Sequence, residues 1–243
     1  MIDGRNIDMS ILTNSMITSM CDRHLGIGAD GLIALSLSSL ADFKMDFYNS
    51  DGYPGSMCGN GGRCLTSFAN EIGVINQVCT FEAPDGTHSA SILVDRTVRL
   101  ELNDVHEIQE MPDGLFLNTG SPHFIAFRLH INEINVVEEG RKIRTDARFP
   151  DGTNVNFVEL TEKGVKVRTY ERGVEDETLS CGTGVTASAI ASYYSGLKKE
   201  LKIDVNTRGG DLQVEFNKPE GGKVSGLFLS GPAVKVYEGT FNV

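Results

Sequence analysis

The chain has 243 residues, 40% hydrophobic and 23% charged, a composition that suits one large or two ordinary globular domains and not a disordered polymer. A formal net charge of −11 argues against phosphate-backbone binding, so nucleic acid is not an expected partner. With no run of about 18 apolar residues and no basic-then-apolar opening, neither membrane association nor export is expected, and the cytoplasm is the default location.

In chain order, β-rich runs are expected at 32–37 and 43–48, followed by a loop and a helix that begins after Cys58 and is closed by Gly73. Strands follow at 78–82, 90–94 and 98–102, with Pro-Asp-Gly turns starting at Pro84 and Pro112. Further strands are expected at 115–117 and 123–128, then a helix within NEINVVEEGRKIR and strands at 154–160 and 165–170. A second confident helix follows Cys181, covering 185–195 and closed by Gly196, before strands at 203–205, 212–216, 226–229 and 234–237.

This order repeats. In each half a strand ends in Tyr48-Asn49 or Tyr170-Glu171, a loop follows, and Cys-Gly-Asn/Thr-Gly opens a helix; Cys58 and Cys181 lie 123 positions apart, about half the chain. The expected fold is therefore α/β (α+β), a duplicated β-rich unit with each half folding its sheet around its helix. The halves are expected at 1–112 and 113–243, the last strand, about 232–243, packing on the first half. Because the second half opens with GLFLNTGSPHFIAF and the first with MIDGRN, a leading strand is expected to be missing from the front of the first half.

The five cysteines, an odd number, read as free thiols and not as a disulfide framework. Cys21, Cys64 and Cys79 are expected to pack as small apolar residues. No CxxC spacing occurs, so no metal is expected. Cys58 and Cys181 differ, because each stands at a helix N-terminus beside glycines. The partial positive charge there favours thiolate over thiol, and the first-turn N–H groups can receive an anion. Two such ends related by a repeat would place thiols on opposite sides of one small pocket. A proton could then leave one face of a stereocentre and return on the other, with the carboxylate held by the helix ends.

The segments CDRHLGIGADGL from Cys21, YNSDG and MCGNGGRC from Tyr48, NTGSPH from Asn118, NVNFV from Asn154 and YERGVEDETLSCGTG from Tyr170 together resemble, in order and spacing, the signatures of the diaminopimelate epimerase family. The resemblance implies interconversion of LL- and meso-diaminopimelate in lysine and cell-wall precursor synthesis, without pyridoxal phosphate, other cofactor or metal, by a homodimer. It implies a fold of two pseudo-symmetric halves, each a curled, mostly antiparallel β-sheet around a central helix, with Cys58 and Cys181 as proton-transfer groups and His123 and Glu171 as polar residues beside them. Backbone N–H groups of Gly59, Asn60, Gly182 and Thr183 would take the α-carboxylate. Asn49, Asn154 and Arg172 would hold the distal amino-acid end, with Glu171 near the amine. Asn156 is expected on the strand face opposite Asn154. Relatives of this family begin with a segment like Gly-Thr-Gly-Asn-Asp-Phe, whose Asn contributes to substrate binding and which would precede Met1 here. Ser121 stands where many have Asn, and the loop from Glu171 to Cys181 is one residue longer than in some. Two alternatives stay open: a two-cysteine racemase of proline or hydroxyproline, whose substrate has no second amino-acid end, and a non-catalytic amino-acid binder.

Overall fold

The computed structural model describes residues 1–242. The chain divides into two compact units, one formed by 1–100 with 232–242 and the other by Glu101–Gly231.

In the first unit β1 (Ile2–Asp3) runs parallel to β2 (Gly31–Ser36), which pairs antiparallel with β3 (Phe43–Asn49). β3 runs parallel to β4 (Val78–Ala83), and β5 (Gly86–Ile92) and β6 (Val98–Leu102) continue antiparallel. Two helices accompany this sheet. In α1 (Asn14–Cys21) the Thr13 hydroxyl accepts from Met16 N–H at 3.3 Å, and Ile17 and Cys21, one turn apart, pack on Leu32 and Ala34. α2 (Gly59–Glu71) packs on β2 and β5 with Leu65 and Ala69 fully buried.

The second unit repeats the pattern at greater length. β7 (Ile108–Met111), β8 (Gly114–Asn118) and β9 (Pro122–Phe127) form an antiparallel run, and β9 lies parallel to β10 (Asn154–Leu160). β10 pairs antiparallel with β11 (Gly164–Glu171), which takes the short β12 (Asp176–Thr178) on one side and runs parallel to β13 (Lys202–Thr207). β14 (Gly210–Glu215) and β15 (Leu227–Gly231) complete the unit. The sequence parallel–antiparallel–parallel–antiparallel is thus shared, with β9, β10, β11, β13, β14 and β15 corresponding to β1 to β6 and β12 lying off this path. β1 has two residues where β9 has six, and β8 has no counterpart among the described residues of the first unit.

β10 and β11 lie between two helices, α3 (Val136–Arg144) and α4 (Gly182–Tyr194), which explains why NVNFV is buried along its length instead of alternating. α3 carries Glu138 and Glu139 in its first turn and Arg141, Lys142 and Arg144 in its last, the arrangement that complements the helix dipole. Gly140 lets it approach the Tyr170 ring closely. α4 is buried continuously from Gly184 to Ser192. Its residues there are small, and its hydroxyls stay satisfied in the core because Thr186, Ser188 and Ser192 donate to the carbonyls one turn back at 2.7–2.9 Å. Among the described residues no helix is long and apolar enough to cross a membrane.

The strand expected at 234–237 does not form. Val234 and Val236 alternate with Lys235, but they and Tyr237 are exposed and have no strand partner among the described residues, and a ladder needs one. Four strands and α-helices lay outside the sequence expectation: β1, α1, β7 and β12.

Candidate functional site

Cys58 and Cys181 occupy the same position in their units, the residue that caps the buried helix. Their backbones agree closely, with φ −116° and ψ 117° for Cys58 and φ −115° and ψ 113° for Cys181. Both are half-buried. Extended geometry at the cap turns the first N–H groups of the helix outward beside the sulfur, without intrahelical acceptors.

The sulfurs have different neighbours. Cys58 Sγ accepts from Gly61 N–H at 3.4 Å. Gly61 carries no side chain where a Cβ would press on Ile33 and Met45, so α2 sits close to its sheet. Arg63, which sequence reading did not single out, is buried in the first turn. It donates to the Gly59 carbonyl at 3.1 Å and to Asn60 Oδ1 at 3.0 Å, bracing the two residues expected to meet a carboxylate. Asn49 closes β3, exposed, in a tight turn where its N–H donates to the Tyr53 carbonyl and its carbonyl accepts from Gly52 N–H.

Cys181 Sγ lies 3.3 Å from Thr183 Oγ1, and Thr183 connects it to the β8–β9 turn. Thr183 Oγ1 is 2.9 Å from His123 Nε2 and 3.2 Å from Ser121 Oγ, while the Thr119 hydroxyl holds the Thr183 carbonyl at 2.8 Å. His123 therefore reaches the thiol through an intervening hydroxyl. Ser121 Oγ also stands 3.0 Å from His123 Nε2, so the short serine serves the ring and Thr183 together.

Asn154 binds this turn to the next loop. Its Nδ2 donates to the Pro122 carbonyl at 2.9 Å and to Ser121 Oγ at 3.4 Å, and its Oδ1 accepts from Arg172 N–H at 2.8 Å. The Arg172 side chain donates to the Asp151 carbonyl at 3.1 Å. Glu171 ends β11, half-exposed, with its carbonyl taking Glu175 N–H at 2.8 Å.

The expected placement of Asn156 is corrected. A step of two residues along a strand returns to the same face, so Asn154 and Asn156 share the α4 side, and the intervening Val155 belongs with Phe124, Phe157 and Tyr170 in the core on the α3 side. Asn156 Nδ2 lies 3.1 Å from His123 Nδ1. The period-two rule alone would have placed Asn156 on the face of Asn154.

Burial, with a smaller contribution from the Arg172 charge, pushes the His123 pKa down to about 3. The ring is neutral in the folded chain at working pH. Since an unfolded histidine titrates near its ordinary 6.5, the unfolded chain binds a proton that the folded chain refuses between these values. Stability from this residue is complete above about pH 6.5 and falls as pH drops, by up to about 1.4 kcal/mol per unit. Urea unfolding at pH ~7 and ~5.5 is expected to show this slope in the wild type and a smaller one in His123→Gln. Equal slopes would contradict it.

Of the remaining thiols, Cys21 and Cys79 are buried and Cys64 is half-buried. Burial raises the pKa of Cys21 and Cys64, and takes that of Cys79 to about 11, so none is suited to exchange protons near neutrality.

The diaminopimelate epimerase family model matches residues 3–106 and 115–236. The chain is 46% identical over 242 residues to a diaminopimelate epimerase of Flavobacterium psychrophilum, covering 99% of this chain and 94% of that one. It is 42% identical over 245 residues to one from Chlorobaculum tepidum, covering 96% and 93%. Among solved structures, a PhzF-family phenazine biosynthesis protein of Bacillus anthracis superposes with a TM-score of 0.73 at 13% identity, covering 95% of this chain and 89% of that one. A probable proline racemase of Agrobacterium radiobacter gives 0.65 at 16% identity, with coverage of 94% and 79%. These two share the fold.

Proposed function

The chain belongs to the diaminopimelate epimerase family, and on that premise we propose that it interconverts LL- and meso-diaminopimelate by moving one α-proton between two thiols. One of Cys58 and Cys181 acts as thiolate and removes the proton, leaving a carbanion conjugated with the carboxylate. The other, as thiol, protonates the opposite face, and the two have then exchanged protonation states. The observation that carries the reading is the recurrence of a cysteine cap, with matching backbone angles, on the buried helix of each half.

First-turn N–H groups of Gly59, Asn60, Gly182 and Thr183 stabilise the carboxylate as charge develops on it. His123, neutral and linked to Cys181 through Thr183, supports one sulfur; Glu171 is assigned to the substrate amine and the setting of thiol protonation. Asn49, Asn154 and Arg172 are assigned to the distal amino-acid end, where a guanidinium offers a carboxylate paired donors. For Asn154 part of that work is indirect, since its amide already holds Arg172. We place the enzyme in the cytoplasm as a homodimer, without cofactor or metal, in the supply of lysine and cell-wall precursor.

The test is the purified chain with LL-diaminopimelate, followed by separation of stereoisomers. Appearance of the meso form, with L-proline and hydroxyproline unchanged, is the expected result. Turnover of proline instead would favour the proline-racemase alternative, and binding without turnover the non-catalytic one.

A further inference from the structure

His123 is fully buried, and the ring nitrogen that carries its hydrogen decides what it can do for Cys181. Its Nδ1 faces Asn156, whose amide orientation is fixed from three sides. Asn156 Oδ1 accepts from the Thr169 hydroxyl at 2.9 Å, while Nδ2 lies 3.2 Å from the Phe124 carbonyl and 3.1 Å from His123 Nδ1. A backbone carbonyl only accepts, so the atom beside it is the amide nitrogen, and the second amide hydrogen points to Nδ1. Turning the amide over would set Oδ1 against the carbonyl oxygen. Nδ1 is therefore an acceptor, and the neutral ring holds its hydrogen on Nε2.

From Nε2 the hydrogen bonds run outward, to Thr183 Oγ1 directly or through Ser121. A hydroxyl that accepts from this chain turns its own hydrogen to another acceptor, and the Cys181 sulfur is 3.3 Å from Thr183 Oγ1. With the opposite tautomer Nε2 would accept, from Thr183 or from Ser121, and nothing would hold the Thr183 hydrogen on the sulfur.

We infer that Asn156, anchored by Thr169 and the Phe124 carbonyl, is a positioning residue that locks His123 in its Nε2–H tautomer and so turns the Thr183 hydroxyl toward Cys181. The catalytic consequence rests on the epimerase reading; the tautomer and the thiol's reactivity do not.

Nitrogen-15 histidine spectra of the wild type, with His123→Gln used only to assign the resonance, are expected to show hydrogen on Nε2 and a bare Nδ1. In Asn156→Leu the ring is expected to sample both tautomers, and iodoacetamide labelling of Cys181, followed by peptide mass spectrometry, to slow about twofold or more. In Thr183→Val, which removes the link, adding Asn156→Leu is expected to change Cys181 labelling no further. Asn156→Asp is a second variant, in which Nδ1 gains a hydrogen. Hydrogen on Nδ1 in the wild type overturns the inference whether or not any variant folds. A folded Asn156→Leu chain with a pure Nε2–H ring, or with unchanged Cys181 labelling, overturns it too. A wild type without epimerase activity would refute the epimerase reading while leaving these measurements readable.

Discussion

Cys58→Ala and Cys181→Ala are each expected to lower the epimerisation rate by about 10²–10⁴, the contribution of a positioned proton-transfer group. Loss of turnover alone would fit many roles for a thiol, so the sharper expectation concerns partial reactions. A chain with one thiol can still remove and return a proton on the face that thiol serves. In deuterated water each variant is expected to exchange the α-proton of one stereoisomer without inverting it, and the two variants to choose opposite stereoisomers. Equal exchange of both isomers by one variant would show that a single group reaches both faces. Circular dichroism should report no change of fold, because both sulfurs are half-buried and outside the buried cores.

Gly184→Ala is expected to damage the second half of the site from within. An added Cβ would press into Asn156 Oδ1 and approach His123 Cε1 to 3.2 Å. Neither can move freely, since Asn156 is held by Thr169 and the Phe124 carbonyl and His123 is fully buried. Overpacking of this kind costs about 1–3 kcal/mol, and the displacement of His123 is expected to lower kcat by about tenfold or more. Urea unfolding and initial rates measure the two effects. Gly239→Ala is the control: no atom lies within 4 Å of its Cβ, and a change within about ±0.5 kcal/mol is expected. A Gly184→Ala chain with wild-type stability and rate would show that the packing between α4 and β10 is looser than described.

The two helix ends of the candidate site were legible in the sequence because their signals are local. A cysteine before glycines, with Gly73 or Gly196 closing the helix, marks both ends of α2 and α4 through backbone requirements alone. The repeat was legible from the order of the expected strands along the chain. What escaped was decided by tertiary contact. α1 is eight residues of mixed polarity whose helicity depends on setting Ile17 and Cys21 against β2. The run at 234–237 shows the reverse, an alternating pattern with no partner to pair with. β10 is covered on both faces, so its two asparagines do not stand out as the polar side of a strand; they prove to share one buried face, where Asn156 meets His123 and Asn154 meets Ser121. Thr183 was legible only as a source of backbone N–H, because its hydroxyl acquires a role when the β8–β9 turn brings His123 beside it.

The isotope content of substrate and product at early times in deuterated water tests the central claim most directly. A thiol that takes the α-proton and a different thiol that has equilibrated with solvent predict deuterium at the α-carbon of newly formed meso-diaminopimelate, while recovered LL-diaminopimelate keeps its protium. Deuterium entering recovered substrate as fast as product, or the original proton carried into product, would mean one group serves both faces.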